Sequence, residues 1–325
     1  MKPIECLIKS ALIFFLFHIP YSLAYSQSNM PIQWQHCFGG SNIDAACDII
    51  AIDNGYIIAG GTGSNDGDVS FSYCLCDGCL IKTDSAGNLI WEKTYGGSDS
   101  EGFSRIIPTS DNNFYLLGIS WSSDGDISND PYPDSPDYWI VKIDSSGNIL
   151  WNKILGGNYG ENLWNGAATA DGGVVAIGET SSNDGDVSIF YGGNDTWLVK
   201  LTSEGELEWD YSIGTDFFDI GQAIIQTSDG GFLAASSSIL LEGGSGNITC
   251  IPHTYGWVEG VVFKLDSNLN VEWQHCYGGS DHDGIFGIIE IDDGYVITGG
   301  TASNDGDVYG FHGENDIWIV KIDFN

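Results

Sequence analysis

Residues 137–157 read DYWIVKIDSSGNILWNKILGG. Two apolar runs of strand length, WIVKI and ILWNKIL, flank SSGN, whose small and turn-forming residues predict a β-hairpin. The wording recurs at 79–97 (CLIKTDSAGNLIWEKTYGG), 197–214 (WLVKLTSEGELEWDYSIG) and 261–279 (VVFKLDSNLNVEWQHCYGG). Half of it opens the repeat series at 34–40 (WQHCFGG) and the other half ends it at 318–323 (WIVKID). The tryptophans that mark the pattern, Trp34, Trp91, Trp151, Trp209 and Trp273, fall 57, 60, 58 and 64 residues apart.

Between these hairpins the chain repeats a second pair of apolar segments. A short stretch (CDIIAI, SRIIPT, NGAATA, QAIIQT, GIIEID) is followed by DNG, DNN, DGG, DGG or DDG and then by YIIAGGT, FYLLGIS, VVAIGET, FLAASSS or YVITGGT. Each unit thus offers four short strands bounded by Gly, Asn and Asp turns, and nothing after the leader carries helical periodicity. Four strands recurring five times predict an all-β fold, a five-bladed β-propeller of four-stranded antiparallel blades in one domain over 27–325. The frame also predicts how the ring closes: the lone tryptophan strand at 32–38 pairs with the lone strand at 316–323, removing an exposed sheet edge.

Residues 1–26 carry Lys2 and Lys9, an apolar run from Ala11 to Phe17 and the Ala24-Tyr25-Ser26 tripeptide, a pattern that predicts a cleaved secretory signal peptide. The run is too short and too interrupted, by His18 and Pro20, for a transmembrane span, so no integral membrane segment is expected in the mature chain. The expected location is therefore secreted, cell-surface or periplasmic.

Removing Lys2, Lys9 and Glu5 with the leader leaves 8 basic and 44 acidic side chains, a net charge of −36. Such a surface repels phosphate backbones and anionic lipid, which argues against nucleic-acid binding and electrostatic membrane docking. Of the eight cations, Lys82, Lys142, Lys200, Lys264 and Lys321 share one repeat position, and Lys93 and Lys153 another. That register predicts a structural role, with Asp137, Asp195 and Asp316 as candidate partners. Seven cysteines remain after cleavage, so one thiol at least is left over. CLCDGC at 74–79 lacks a fourth ligand at zinc spacing and predicts a loop disulfide with a buried thiol. Cys37 and Cys276 stand at equivalent strand positions and are expected not to bridge to one another.

The segments DYWIVKIDSSGNILWNKILGG, TSDGGF (227–232) and SSNDGDVS (181–188) resemble the tandem propeller repeats of secreted and cell-surface proteins of the Bacteroidota. The resemblance spans nearly all of the mature chain and implies a compartment and a fold, with no catalytic residues to carry over. Many members resemble multi-domain proteins with a C-terminal sorting domain; this chain stops two residues after its last strand, which argues against that route.

In a four-stranded meander the connections alternate ends. The DGG and SSGN hairpins are short, so recognition is expected at the opposite end, where GGS-type connections and long acidic loops lie. Those loops carry Asp-Gly-Asp four times: Asp66 and Asp68, Asp124 and Asp126, Asp184 and Asp186, Asp305 and Asp307. Alternating carboxylates around glycine suit a calcium loop, yet the full calcium-loop pattern with its closing Glu is absent, and Asp with Gly also builds turns unaided. Both readings stand, whereas four near-equal copies argue against catalysis.

The fourth unit lacks the motif and carries LLEGGSGNITCIPHTYGW (240–257) instead, with His253, Tyr255 and Trp257 as candidate ligand-binding residues. On the innermost strands Asp48 and Arg105 are expected to be neighbours. A glycosidase reading would pair Asp48 with Glu290, and a structural ion pair is the plainer alternative. The expectation is a secreted, non-enzymatic binding or scaffold module for a glycan or protein, with calcium as a candidate stabiliser; a carbohydrate-active enzyme with its site in the central channel is the alternative.

Overall fold

The structure is a computed structural model, and it describes residues 31–74, 76–127, 130–254 and 256–324. The predicted signal peptide lies outside the described residues. All sheets belong to the compact unit His36–Asn325; residues 31–35 belong to the unit before it and carry no strand.

Nineteen strands form five antiparallel sheets, one per repeat. Sheet 1 is β1 (Asp44–Ile52), β2 (Gly55–Thr62), β3 (Asp77–Asp84) and β4 (Leu89–Tyr95). Sheet 2 is β5 (Glu101–Pro108), β6 (Phe114–Ser120), β7 (Asp137–Ile143) and β8 (Ile149–Leu155). Sheet 3 is β9 (Glu161–Ala168), β10 (Val174–Thr180), β11 (Asp195–Leu201) and β12 (Leu207–Ile213). Sheet 4 is β13 (Asp219–Gln226), β14 (Phe232–Ile239), β15 (Val258–Leu265) and β16 (Val271–Tyr277). Sheet 5 has three strands, β17 (Asp283–Ile291), β18 (Gly294–Thr301) and β19 (Asp316–Asp323). Strand order within every sheet follows the sequence, a meander joined by the turns read above.

Each sheet packs face to face on the next, with the first strand of the following sheet against the first two of the preceding one, as blades do in a propeller. Four apolar cores fill the four junctions. Trp139, Val141 and Ile143 of β7 face sheet 1 while Tyr138 and Ile140 face sheet 3, so a strand read as one continuous apolar run is buried on both sides. Each fully buried Leu or Ile here contributes about 1.5–3 kcal/mol over its exposed state.

The predicted closure is not present among the described residues. Residues 31–40 form no strand, β19 pairs with β18 alone, and no comparable packing joins sheet 5 to sheet 1. Elsewhere the fourth strand arrives by a turn from the third; here it would have to come from the far end of the chain, a long-range pairing that no local turn enforces.

The register lysines keep their structural role but not the partners expected of them. Lys142 pairs with Asp111 (3.2 Å), Lys200 with Asp171 (2.6 Å), Lys264 with Asp229 (2.8 Å) and Lys321 with Asp293 (2.5 Å). These are the hairpin aspartates of DNN, DGG, DGG and DDG. Asp137, Asp195 and Asp316 begin the lysine strands and so lie at their other end, beyond reach of the ammonium.

Candidate functional site

Every Asp-Gly-Asp loop is tied to the connection that leads into its own sheet. In the third unit the Asp186 carboxylate accepts the Gly156 N–H (3.2 Å), Asp184 accepts the Asn158 N–H (2.9 Å), and the Asp186 N–H donates to the Gly156 carbonyl (2.8 Å). The same three bonds join Asp66 and Asp68 to Ser41 and Gly39, Asp124 and Asp126 to Ser98 and Gly96, and Asp305 and Asp307 to Ser280 and Gly278. The central glycines need their residue type: Gly67, Gly125, Gly185 and Gly306 have φ between 65° and 70°, and a Cβ on Gly185 would sit 2.3 Å from the Gly156 carbonyl oxygen. The eight carboxylates therefore act as separate clamps, one pair in each of four sheets. Among the described residues no three His, Cys, Asp or Glu side chains gather as metal ligands.

The fourth unit keeps the clamp in other residues. Asn247 accepts the Gly214 N–H (2.9 Å) through its side chain and donates its own N–H to the Gly214 carbonyl (3.1 Å), while Ser245 donates to Asp216. Aligning GSGN with NDGD could have revealed this. The rest of that loop is fastened down: Cys250 is bridged to Cys276 of β16, and the Gly256 N–H donates to the Leu240 carbonyl (2.8 Å). His253 stands 4.0 Å from Asp307, and Trp257, about half exposed, packs edge-on to His282 at 4.7 Å. Tyr255 lies outside the described residues. Cys37 and Cys276 are not bridged, as expected; the loop disulfide expected in CLCDGC is absent, since Cys74, Cys76 and Cys79 are free thiols. Burial pushes Cys79 up to about 12 and Cys74 to about 11.

Beneath the clamps lies a feature that the sequence reading did not assign. At each sheet junction a carboxylate at the start of the third strand meets one that opens the next sheet: Asp77 with Glu101, Asp137 with Glu161, Asp195 with Asp219, and Glu259 with Asp283. All eight are at most 2% exposed. The second member is better supplied with donors, as Glu161 is by the Gly157 N–H (3.1 Å) and the Thr180 hydroxyl (2.7 Å), although one oxygen of Asp219 has none. The first member often is not: Asp137 and Glu259 have both oxygens without a donor, and Asp195 has one. Burial, aggravated by the neighbouring carboxyl, pushes Asp137 up to about 10, Glu259 to about 8 and Asp195 to about 7, while burial alone takes Asp219 to about 6. At the junction of Asp137 with Glu161, a proton on Asp137 relieves the repulsion between the two carboxyls.

The inner strands carry one bulge each, at Cys47, Ser104, Trp164, Gln222 and Phe286. A bulge breaks alternation and re-aims its extra residue. Cys47, Ser104 and Trp164 consequently line a cavity of about 430 Å³ together with Ala45, Phe103 and Leu163. Thr62, Cys76 and Glu101 also border it, so it lies toward the acidic loop end of the inner strands. Sequence alignment of the inner strands missed these residues; Trp164 and Phe286, large and apolar where smaller or polar neighbours stand, were the available signal. The expected neighbours Asp48 and Arg105 do meet, at 3.8 Å, and Asp48 also accepts the Ile106 N–H (3.0 Å). Glu290 is engaged elsewhere, accepting from the Ser228 N–H (2.8 Å) and hydroxyl (2.7 Å) of sheet 4. The two candidate carboxylates thus serve different sheet junctions.

No family model matches the chain, and no curated protein matches it. Among solved structures, the Pan2 WD40 domain of Neurospora crassa is similar at a TM-score of 0.46 with 11% identity, over 85% of this chain and 62% of that one. Drosophila Plexin A, solved in complex with Semaphorin 1b, is similar at 0.48 with 11% identity, over 88% of this chain and 53% of that one. The chain thus spans 62% and 53% of those two chains, less than two thirds of either. The propeller-type arrangement rests on the five sheets themselves.

Proposed function

We propose that this chain is an exported, non-enzymatic binding module that takes a basic protein segment by one apolar side chain. The observation that carries this reading is the cavity of about 430 Å³ at the inner strands, apolar in its lining and placed toward the end where the acidic loops cluster. An apolar hole on a strongly acidic molecule suits a hydrophobic residue flanked by Lys or Arg, because burial supplies affinity while the surrounding charge steers the approach. Its walls offer few donors or acceptors for a sugar. The two candidate glycosidase carboxylates do not line it: Asp48 holds Arg105 and Glu290 holds Ser228.

Titration calorimetry with peptides of alternating basic and aromatic residues, beside a glycan array, tests the reading. The expected result is peptide binding that weakens with salt and drops at least about tenfold in Trp164→Ala, the loss of a large apolar contact. Trp257→Ala should leave it unchanged. Binding confined to glycans, or hydrolysis abolished by Asp48→Asn, would overturn it.

A further inference from the structure

The four internal junctions are copies of one interface, and the molecule carries both halves of a fifth without joining them. The half that a sheet turns toward its successor is marked by Leu80, Ile140, Leu198 and Val262, all fully buried, and the equivalent residue in sheet 5 is Ile319, 65% exposed. Beside it, Ile317 is 88% exposed and Ile289 57%. The half that a sheet turns toward its predecessor is marked by Ile106, Ile224 and Ile288, each at most 8% exposed, and the equivalent in sheet 1 is Ile49, 58% exposed.

The polar part of the interface is divided in the same way. Asp316 opens β19 as Asp77, Asp137 and Asp195 open their strands and as Glu259 stands second in β15, and Asp44 opens β1 as Glu101, Glu161, Asp219 and Asp283 open theirs. Asp44 already accepts the Gly40 N–H (2.9 Å), the bond that its equivalents make at Gly97, Gly157 and Gly279. Only its partner carboxyl from a preceding sheet is missing. Among the described residues β19 also leaves one edge without a hydrogen-bonded strand, which is a ready template for association.

We propose that these two faces bind a second copy of this chain, sheet 5 of one molecule packing on sheet 1 of the next. The occupant is specified by the molecule itself: the surface that fits the successor-facing half is a predecessor-facing half, and each copy supplies one. The contact continues an interface already formed four times within the chain, with the same alternation of isoleucines and the same Asp316 to Asp44 approach. Because the two halves differ, the association is head-to-tail rather than two-fold, and it propagates or closes into a ring of copies. This goes beyond the ligand-binding reading, since the inner-strand cavity lies elsewhere.

The test uses the purified chain in sedimentation velocity and light scattering across a hundredfold range of concentration. Wild type should associate. Ile317→Glu with Ile319→Glu spoils one half, and Ile49→Glu spoils the other; each variant alone should stay monomeric, with association weakened at least about a hundredfold by a buried charge in an apolar contact. All three residues are exposed in the single chain, so circular dichroism should show both variants folded. Mixing the two should restore a one-to-one complex, because each contributes the half that the other lacks. A wild type that is monomeric throughout, as it would be if sheets 1 and 5 met within one chain, overturns the proposal. So does association that survives in either variant alone, or variants that fail to combine.

Discussion

At the residue scale, each Asp-Gly-Asp is a glycine-dependent clamp. Each Asp of Asp-Gly-Asp accepts a backbone N–H from the chain entering the sheet, and the glycine between them lets the loop turn back close enough to do so. In Gly185→Ala the new methyl would meet the Gly156 carbonyl oxygen at 2.3 Å with φ still near 69°. The expected cost is about 2 kcal/mol or more, read as a lower urea midpoint with an unchanged slope. Asp186→Asn keeps an acceptor and should cost less than half as much, whereas a calcium site would lose most of its stabilisation in the same variant and show it as a chelator-dependent Tm.

At the element scale, the buried carboxyl pairs set a direction for pH dependence. Asp219, Asp195 and Glu259 have folded values of about 6, 7 and 8, all above their ordinary values near 4. A group whose folded pKa is raised contributes most while both states are protonated, and that contribution is lost as pH rises through the folded value. Stability should therefore fall from pH 5 to pH 9 in thermal melts. Asp195→Asn, which cannot ionise, should recover about 1 kcal/mol or more at pH 8 and flatten the profile. The Cys250–Cys276 bridge acts at this scale too: it closes a loop of 26 residues between the fourth unit's long connection and β16. Reduction should destabilise sheet 4 by about 3 kcal/mol on loop-entropy grounds, measured by denaturation with and without reductant.

At the scale of the whole molecule, burial is graded from the centre outward. β7 and β11 are buried at all seven positions, whereas β1 has no buried position and β19 has Trp318 alone, the rest being half-buried or exposed. Units that touch only their neighbours lose most stability at the ends. Hydrogen exchange should therefore reach the amides of β1 and β19 well before those of β7 and β11, and raising the protein concentration should slow the end strands alone if a second copy covers them.

How far the sequence reached differs among these scales. Strand positions, turn positions, the five-fold repeat and the acidic end were legible because they follow from local rules: alternation of apolar residues, Gly and Asn at turns, and self-similarity along the chain. The paired fate of Asp48 and Arg105 was legible as well, being one register position in consecutive repeats. The lysine partners were not, because strand direction places the ammonium beside the hairpin aspartates rather than beside Asp137. The bulges that turn Ser104 and Trp164 into the cavity, the buried carboxyl pairs, and the unjoined halves on sheets 1 and 5 belong to tertiary structure alone. Local chemistry determines what each repeat is; how closely two sheets approach, and whether the last meets the first, depends on packing across the molecule, which no single repeat encodes.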